Sequence, residues 1–209
     1  MQKQPINPIK RIRQNDTNCP VTLYSFNLDK SFESFFAIGS IDILKYKPLA
    51  LFCSVRCPGN LILKTYDFTR TLRNKGVTVI SGFHSPMERE CLNLLLKGEQ
   101  PVIVCPARRL SNTHLPKEYI VLLQEGRLLL LSPFGEKTKR VTVDTANIRN
   151  EFVAALAERV FVTYATPGSK TESFCKKILQ WGKPLFTFDA PENKSLIEMG
   201  AKPLDSYFI

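Results

Sequence analysis

Short apolar runs alternate with amphipathic segments along the chain from residue 48 onward. The first run, Leu49–Phe52, is apolar throughout, as expected for a strand buried on both faces of a sheet. Residues 60–75 follow with apolar side chains at roughly helical spacing, and Gly76 is a natural helix stop. The pattern then repeats, with strands predicted at 77–80, 102–105, 128–131, 160–164 and 185–188, and helices at 85–97, 116–125, 144–158, 171–181 and 193–199.

This alternation of strands and helices predicts the fold class. It is typical of an α/β protein with a Rossmann-like, doubly wound, mostly parallel sheet that carries helices on both faces. Ser85, Pro86 and Glu88 have the spacing of a capping box at the second helix, and Asp144 or Thr145 is predicted to cap the fourth. We assign residues 46–209 to this Rossmann-like domain.

Residues 1–45 lack the alternation and are predicted to form an extension. Four cations in residues 1–20 precede the first acidic residue, Asp16, which predicts a mobile basic arm that either contacts nucleic acid phosphates or is simply solvated. These cations are Lys3, Lys10, Arg11 and Arg13. Residues 21–45 are rich in aromatic side chains, and we expect them to cover an edge of the sheet rather than to stack on bases.

The charge balance changes the expected class of partner. Lysine and arginine number 29 against 19 acidic residues, a formal net charge of +10. Such an excess favours a polyanion, nucleic acid above all, over an acidic metabolite. No apolar run approaches the roughly 20 residues of a membrane helix, so no membrane partner is expected. The six cysteines contain no C-x-x-C pair, which predicts free thiols in a reducing cytoplasm, no metal site and no cofactor.

Small, hydroxyl-bearing and cationic residues follow the predicted strands. In doubly wound sheets ligands bind beyond the carboxyl ends of the strands, where free N–H groups at helix starts favour an anion. The residues are Ser54, Arg56 and Gly59 after the first strand, Ser81 and Gly82 after the second, Arg108 and Arg109 after the third, and Gly168, Ser169 and Lys170 after the fifth. They suit a phosphate or sugar–phosphate, and neither a GxGxxG motif nor a Walker lysine motif is present. The alternative is that the small residues only permit tight turns and that the arginines are solvated.

Five short motifs, taken in order, resemble the DNA-processing protein A (DprA/Smf) family. They are SVR at 54–56, VISG at 79–82, IRN at 148–150, PGSKT at 167–171 and LIEMGA at 196–201. The family has GSR, SG-x-A-x-GID, RNR, SGS-x-x-T and LI-x-x-GA at the same element boundaries. The resemblance covers residues 46–204, the whole Rossmann-like part.

The resemblance implies a single-stranded DNA-binding protein of DNA uptake and recombination that is not an enzyme. It also implies contact with a RecA-type recombinase and a homodimer. Carried over by position, Ser54 and Arg56 hold a phosphate, Ser81 and Gly82 line a basic pocket, Arg149 and Asn150 lie beside it, and Gly168 and Ser169 close it. Arg108, Arg109 and Lys170 are added from their charge and placement.

The chain departs from the family pattern at several positions. Cys53 stands where the family has the glycine of its GSR motif. In the SG-x-A-x-GID motif, His84, Pro86 and Glu88 replace the alanine, the second glycine and the aspartate. Glu151 replaces the second arginine of RNR, which removes one cation from the predicted pocket and adds an anion. With no counterpart of the family's winged-helix or N-terminal helical module, the chain is expected to be a minimal or divergent member.

Two other functions would use the same predicted phosphate-binding loops. Nucleotide phosphoribohydrolases of the LOG (lysine decarboxylase-like) group are similar at 167–172, but the second glycine of their PGG motif is missing and Glu172 comes too early to be their catalytic acid. A sensor domain that binds a nucleotide-derived ligand without converting it is the other. A strand-binding groove needs a long basic stripe with steep salt dependence, and this separates it from a mononucleotide site.

Overall fold

The computed structural model describes residues 8–17, 19–24, 32–111, 115–205 and 208. Within these residues the chain forms one nine-stranded sheet with the order β1-β2-β6-β5-β4-β3-β7-β8-β9. The strands are β1 (Lys10–Arg13), β2 (Ser34–Ile38), β3 (Leu49–Phe52), β4 (Val79–Ser81), β5 (Val102–Val104), β6 (Leu128–Ser132), β7 (Arg159–Val162), β8 (Leu185–Thr187) and β9 (Lys202–Pro203).

The seven strands from β3 to β9 are parallel, and β1 and β2 are antiparallel additions beside β6. From β3 the chain adds β4, β5 and β6 in one direction, then returns to place β7, β8 and β9 on the other side. This reversal confirms the predicted doubly wound, mostly parallel α/β sheet.

The helices cover both faces of the sheet. They are α1 (Gly59–Asn74), α2 (Pro86–Leu95), α3 (Lys117–Gln124), α4 (Val143–Leu156), α5 (Lys170–Gln180) and α6 (Lys194–Glu198). Alternate side chains of β3 point to opposite faces. Leu51 packs in the cluster that contains α1, α2 and α3, whereas Phe52 packs in the cluster that contains α4 and α5.

The start of α4 differs from the prediction by two or three residues. Thr142 is its N-cap, and the Thr142 hydroxyl accepts from the N–H of Thr145 at 3.1 Å while the Thr145 hydroxyl accepts from the N–H of Thr142 at 2.8 Å. The predicted cap at Asp144 or Thr145 was wrong because Thr145 takes the third helical position of a capping box, as Glu88 does in α2.

The predicted mobile arm is wrong for residues 10–13, which form β1 at the edge of the sheet. Ile12 is buried in the core, and the exposed Lys10, Arg11 and Arg13 surround it. One apolar anchor and a run of main-chain pairs are enough to hold the strand, and charged side chains on an edge strand discourage pairing with another chain. Residues 1–7, including Lys3, lie outside the described part.

Residues 34–38 extend the sheet itself rather than lying over its edge, because β2 pairs with both β1 and β6. Two of the aromatic side chains noted in the sequence are core residues. Phe32 and Phe35 pack on Phe152 of α4 with ring centroids 5.1 and 5.5 Å away. Phe26 lies outside the described residues. In the described part of the chain, no helix combines the length and the apolar character needed to cross a membrane.

Candidate functional site

A cavity of about 300 Å³ opens where the strand order reverses, between β3 and β7. The loops after these strands lead to helices on opposite faces, so they diverge and leave the crevice in which ligands of doubly wound sheets bind. We call it the switch-point cavity. Its lining consists of Phe52, Cys53, Glu88, Asn147, Asn150, Glu151, Lys170, Thr171, Ser173, Phe174 and Lys177. Of the predicted site residues, Asn150 and Lys170 belong to this lining.

Ser54 joins the two diverging loops. Its backbone N–H donates to the carbonyl of Tyr164 at 3.0 Å, and its hydroxyl oxygen accepts from the N–H of Thr166 at 3.1 Å. The Ser54 side chain is buried. Ser54 therefore positions the two loops relative to each other.

The carboxylate of Glu88 accepts hydrogen bonds from backbone N–H groups in the loops after β3 and β4. It accepts from the backbone N–H of Cys53 at 3.0 Å, of His84 at 2.8 Å and of Ser85 at 3.4 Å. Burial raises the pKa of Glu88, while the amides and the charge of Arg149 act in the opposite direction. These backbone N–H groups therefore donate to a carboxyl group of the chain itself, whereas the sequence had predicted an external phosphate at this place.

Arg149 differs from the prediction of a phosphate-binding side chain, because the residue is only 4% exposed. Its Nη1 donates to the carbonyl of Cys105 at 3.0 Å and its Nε to Oδ1 of Asn150 at 2.7 Å. Burial lowers the pKa of Arg149, and the charge of Glu88 opposes this. A Cβ on Gly82 would lie 1.3 Å from Nη1, so the bare backbone of Gly82 makes the space that the guanidinium fills.

Ser81 does not line a pocket, which corrects the expectation drawn from the family motif. It is fully buried, and its hydroxyl donates to the carbonyl of Leu51 at 2.7 Å. The same oxygen accepts from the N–H of Phe83 at 3.3 Å. Its position at the end of a central strand, covered by helices, explains why the side chain joins neighbouring backbone segments instead of facing solvent.

The loop between β7 and α5 also donates to a carboxylate of the chain. Gly168, with φ of +73°, donates its N–H to Oε2 of Glu172 at 3.0 Å, and the hydroxyl of Ser195 donates to Oε1 at 2.7 Å. These bonds, the one from Ser195 first, lower the pKa of Glu172. Ser169 is the N-cap of α5 and accepts from the N–H of Glu172 at 3.2 Å. Gly168 and Ser169 thus shape the start of α5, which presents Lys170.

One face of α5 forms a wall of the switch-point cavity. Lys170, Phe174 and Lys177 lie on it at helical spacing. The ring of Phe174 meets that of Phe52 edge to face, with centroids 5.1 Å apart. Lys177 pairs with Glu151 of α4 at 2.8 Å, whereas Lys170 makes no ion pair within the described residues. Phe174 and Lys177 were not predicted as site residues, although their i+4 and i+7 spacing from Lys170 indicates that they share its helix face.

Arg56 and Gly59 lie outside the switch-point cavity. Arg56 is exposed and lines a separate opening of about 620 Å³ between α1 and α2, together with Tyr66 and Glu90. Gly59 is the first residue of α1 and has open space where a Cβ would be. The structure therefore does not bring Arg56 together with Lys170 around one cavity, although both follow carboxyl ends of neighbouring strands.

Arg108 and Arg109 line a third cavity, at the ends of β5 and β6. Arg109 pairs with Glu136 at 2.5 Å, and its backbone N–H donates to the carbonyl of Thr138 at 2.8 Å. Arg108 is exposed, and its carbonyl accepts from the hydroxyl of Ser132 at 2.8 Å. Both arginines are therefore at the carboxyl rim of the sheet, but apart from the switch-point cavity.

Comparison with solved structures supports the fold. DNA processing protein A (DprA) from Streptococcus pneumoniae superposes with a TM-score of 0.77 at 20% identity, over 94% of this chain and 71% of that chain. DNA processing protein A from Helicobacter pylori, studied for its single-stranded DNA binding mode, superposes with a TM-score of 0.73 at 18% identity, over 94% of this chain and 91% of that chain. A search of curated protein sequences finds no match.

The family model described as DNA recombination-mediator protein A matches residues 10–206. That range includes both antiparallel strands at the sheet edge as well as the seven parallel strands. The chain therefore belongs to the DNA recombination-mediator protein A family.

Proposed function

We propose that this chain binds single-stranded DNA at the switch-point cavity and holds the sugar–phosphate chain without cutting it. The observation that carries the proposal is the cavity itself, at the strand-order reversal of a member of this family, where Lys170, Asn150 and Phe174 converge. These supply a cation for phosphate, an amide for a base edge and a ring for stacking. The Helicobacter pylori protein of the same fold, with its single-stranded DNA binding mode, supports the choice of ligand.

Phosphates are held mainly by side chains in this proposal. The corner amides of Cys53, His84 and Gly168 already donate to Glu88 and Glu172. Lys170 and the hydroxyls of Thr171 and Ser173 line the cavity and provide the remaining contacts. Arg56, exposed at the same edge of the sheet, adds a cation where the bound DNA leaves the cavity.

A base enters against the aromatic wall. Phe174 is half-buried and held by its edge-to-face contact with Phe52, so its orientation is set before a ligand arrives. Stacking on such a ring accepts any base, because every base has a π-face. The amides of Asn147 and Asn150 offer both donors and acceptors nearby.

The arrangement supports binding rather than hydrolysis. Both oxygens of Glu172 accept hydrogen bonds within the protein, and these bonds lower its pKa. A general acid must hold a proton near neutral pH and reach its substrate, and Glu172 is suited to neither. Glu151 of α4, a carboxylate that lines the cavity, pairs with Lys177 of α5. This favours a strand-holding site over a nucleotide phosphoribohydrolase.

The test is the affinity of Lys170→Gln for a labelled oligothymidylate of about 12 nucleotides, measured by fluorescence anisotropy at several salt concentrations. Loss of one charged phosphate contact should weaken binding about tenfold or more. The slope of log K against log salt should fall by about 0.7. Lys176→Gln is the matched control, because Lys176 is exposed on the same helix but does not line the cavity.

Equal effects of the two substitutions would remove the switch-point cavity from the proposal. Parallel titrations with duplex DNA, RNA and a mononucleotide complete the test. If wild-type protein binds only the mononucleotide, single-stranded DNA binding is rejected in favour of the sensor or the hydrolase hypothesis.

The proposal also includes a role in DNA uptake and recombination, contact with a RecA-type recombinase, and a homodimer. These rest on membership of the family and on the resemblance in the sequence. Sedimentation analysis tests the dimer, and a recombinase-loading assay on coated single strands tests the partner.

A further inference from the structure

A cavity of about 530 Å³ lies at the carboxyl ends of β5 and β6, on the side of the sheet that carries α3. We call it the β5–β6 cavity. In the strand order it is three positions from the switch-point cavity, a sideways offset of roughly 15 Å. It lies on the α3 face of the sheet, whereas α4 and α5 of the opposite face line the switch-point cavity. Val104, Leu110 and Leu130 form an apolar floor, Tyr119 flanks it, and Arg108 and Lys139 bring positive charge.

Two of the loops that line the cavity are hydrogen-bonded to each other. The N–H of Arg109 donates to the carbonyl of Thr138 at 2.8 Å, and the hydroxyl of Ser132 donates to the carbonyl of Arg108 at 2.8 Å. The guanidinium of Arg109 pairs with Glu136. These contacts fix the two loops relative to each other before any ligand binds, which reduces the entropic cost of binding.

The charges around the cavity are unevenly neutralised. Glu136 offsets Arg109, whereas Arg108 and Lys139 are exposed and make no ion pair within the described residues. Two available cations beside an apolar floor match an anion that carries a flat apolar group. A free inorganic phosphate would leave the floor uncovered, and an apolar ligand would leave the cations unused.

We propose that the β5–β6 cavity is a second nucleotide subsite, which takes one base of the bound strand against Tyr119 and its flanking phosphates on Arg108 and Lys139. This inference rests on the proposed function, and it extends the path of the strand along the rim from β7 toward β6. The volume lies within the range of preformed small-ligand sites. The half-buried Tyr119 ring gives a base a surface for stacking.

The first test compares two lengths of oligothymidylate, about three and about 12 nucleotides, on the variant Arg108→Gln/Lys139→Gln. The longer strand should lose about tenfold or more in affinity, and its salt slope should fall by about 1.4, because two phosphate contacts are removed. The shorter strand, held at the switch-point cavity alone, should bind as it does to wild type. Lys137→Gln removes the same charge from the same loop outside the cavity lining, and it should change affinity less than about twofold.

The second test isolates the ring. Tyr119→Leu should weaken the longer strand about fivefold or more, whereas Tyr119→Phe should bind like wild type, because stacking needs the ring and not the hydroxyl. Equal binding by Tyr119→Leu would overturn base stacking in this cavity.

The two proposals fail in different ways. If the double variant binds the longer strand like wild type while Lys170→Gln still weakens it, the second subsite is overturned and the proposed function stands. If wild-type protein binds neither strand, the proposed function fails and the subsite with it. If Tyr119→Leu abolishes binding of free thymidine monophosphate but leaves the longer strand unaffected, the cavity serves a separate ligand and the subsite is overturned.

Discussion

At the scale of single residues, Gly82 and Arg149 form one unit although 67 positions separate their numbers. The family motifs contain both, and the resemblance placed Gly82 in the lining of a basic pocket and Arg149 beside it. The structure shows instead that the absent side chain of Gly82 gives the Arg149 guanidinium its place beside the Cys105 carbonyl. The two residues thus support the rim on which the candidate ligand contacts lie.

We therefore predict that Gly82→Ala lowers the free energy of unfolding by about 1–3 kcal/mol. The new Cβ displaces the guanidinium and leaves the buried Cys105 carbonyl without its donor. Urea denaturation measures the effect. Gly59→Ala is the control, since open space surrounds that position, and it should change stability by less than about 0.5 kcal/mol.

A double-mutant cycle sharpens this prediction. If Gly82 matters because it accommodates Arg149, Gly82→Ala should cost little in an Arg149→Ala background. Additive losses would instead assign Gly82 a role of its own in the backbone.

At the scale of elements, the start of α5 shows how a predicted phosphate corner can be satisfied from within. Glu172 reaches back to the N–H of Gly168 and is held from α6 by Ser195. One carboxylate thereby links the loop after β7, the first turn of α5 and the neighbouring α6. Lys170 points into the cavity from a turn that this network makes rigid.

We predict that Glu172→Gln lowers stability by about 0.5–1.5 kcal/mol at pH 7, because the amide cannot accept both bonds. The folded-state pKa of Glu172 lies below its ordinary value, so the contribution of the ionised carboxylate is fully present above the unfolded pKa. It is lost as the pH falls through the folded pKa. Thermal melts from pH 7 down to pH 3 should therefore show wild type and variant converging in acid.

Glu198→Gln provides the comparison for this series. Glu198 pairs with Lys194 at 3.6 Å on an exposed helix face, so its loss should cost less than about 0.5 kcal/mol. A difference between wild type and Glu172→Gln that persists unchanged in acid would contradict the assigned role of the carboxylate.

At the scale of the whole molecule, the two helix layers pack on opposite faces of one sheet. Aromatic side chains in each layer bring together parts of the chain that are distant in sequence. Phe161 of β7 packs on Phe68 of α1 at 4.4 Å and on Phe188 at 5.0 Å between ring centroids. Phe208, near the end of the chain, joins the same group. On the opposite face, Phe35 of β2 packs on Phe152 of α4.

We predict that Phe161→Ala lowers the free energy of unfolding by about 3–5 kcal/mol, because a fully buried ring is lost from a packed cluster. Unfolding should remain a single transition by far-UV circular dichroism and by the fluorescence of Trp181, the one tryptophan of the chain, which belongs to the other helix layer. Two separate transitions would show that the layers unfold independently.

Much of the fold could be predicted because the signals are local. The buried run of β3, the capping box of α2 and the glycine stop of α1 depend on residues close in sequence. The missed elements depend on distant partners. Strand β1 needs β2, and β2 needs β6, so neither the charged run at residues 10–13 nor the aromatic run near residue 35 indicates a strand by itself.

The candidate site could be predicted only in part, for the same reason. Asn150 was predicted from the family resemblance and Lys170 from its charge and its place after a strand, and both line the switch-point cavity. The burial of Arg149 and Ser81 was not foreseen, because it depends on backbone groups 44 and 30 positions away. Nor could spacing show that Arg56 and Lys170 line different openings.

The amino-acid sequence by itself determined the alternating order of strands and helices from β3 to α6, the doubly wound class, the family and the excess of positive charge, because each is encoded in periodicity, motif or composition. Only the tertiary structure decided which polar groups are already satisfied. Glu88 and Glu172 take the corner amides that an external phosphate would have used, and they can do so because folding brings each carboxylate within hydrogen-bond distance of those amides. The cations that remain available along the rim, not the charge of the whole chain, therefore define where we propose that a ligand binds.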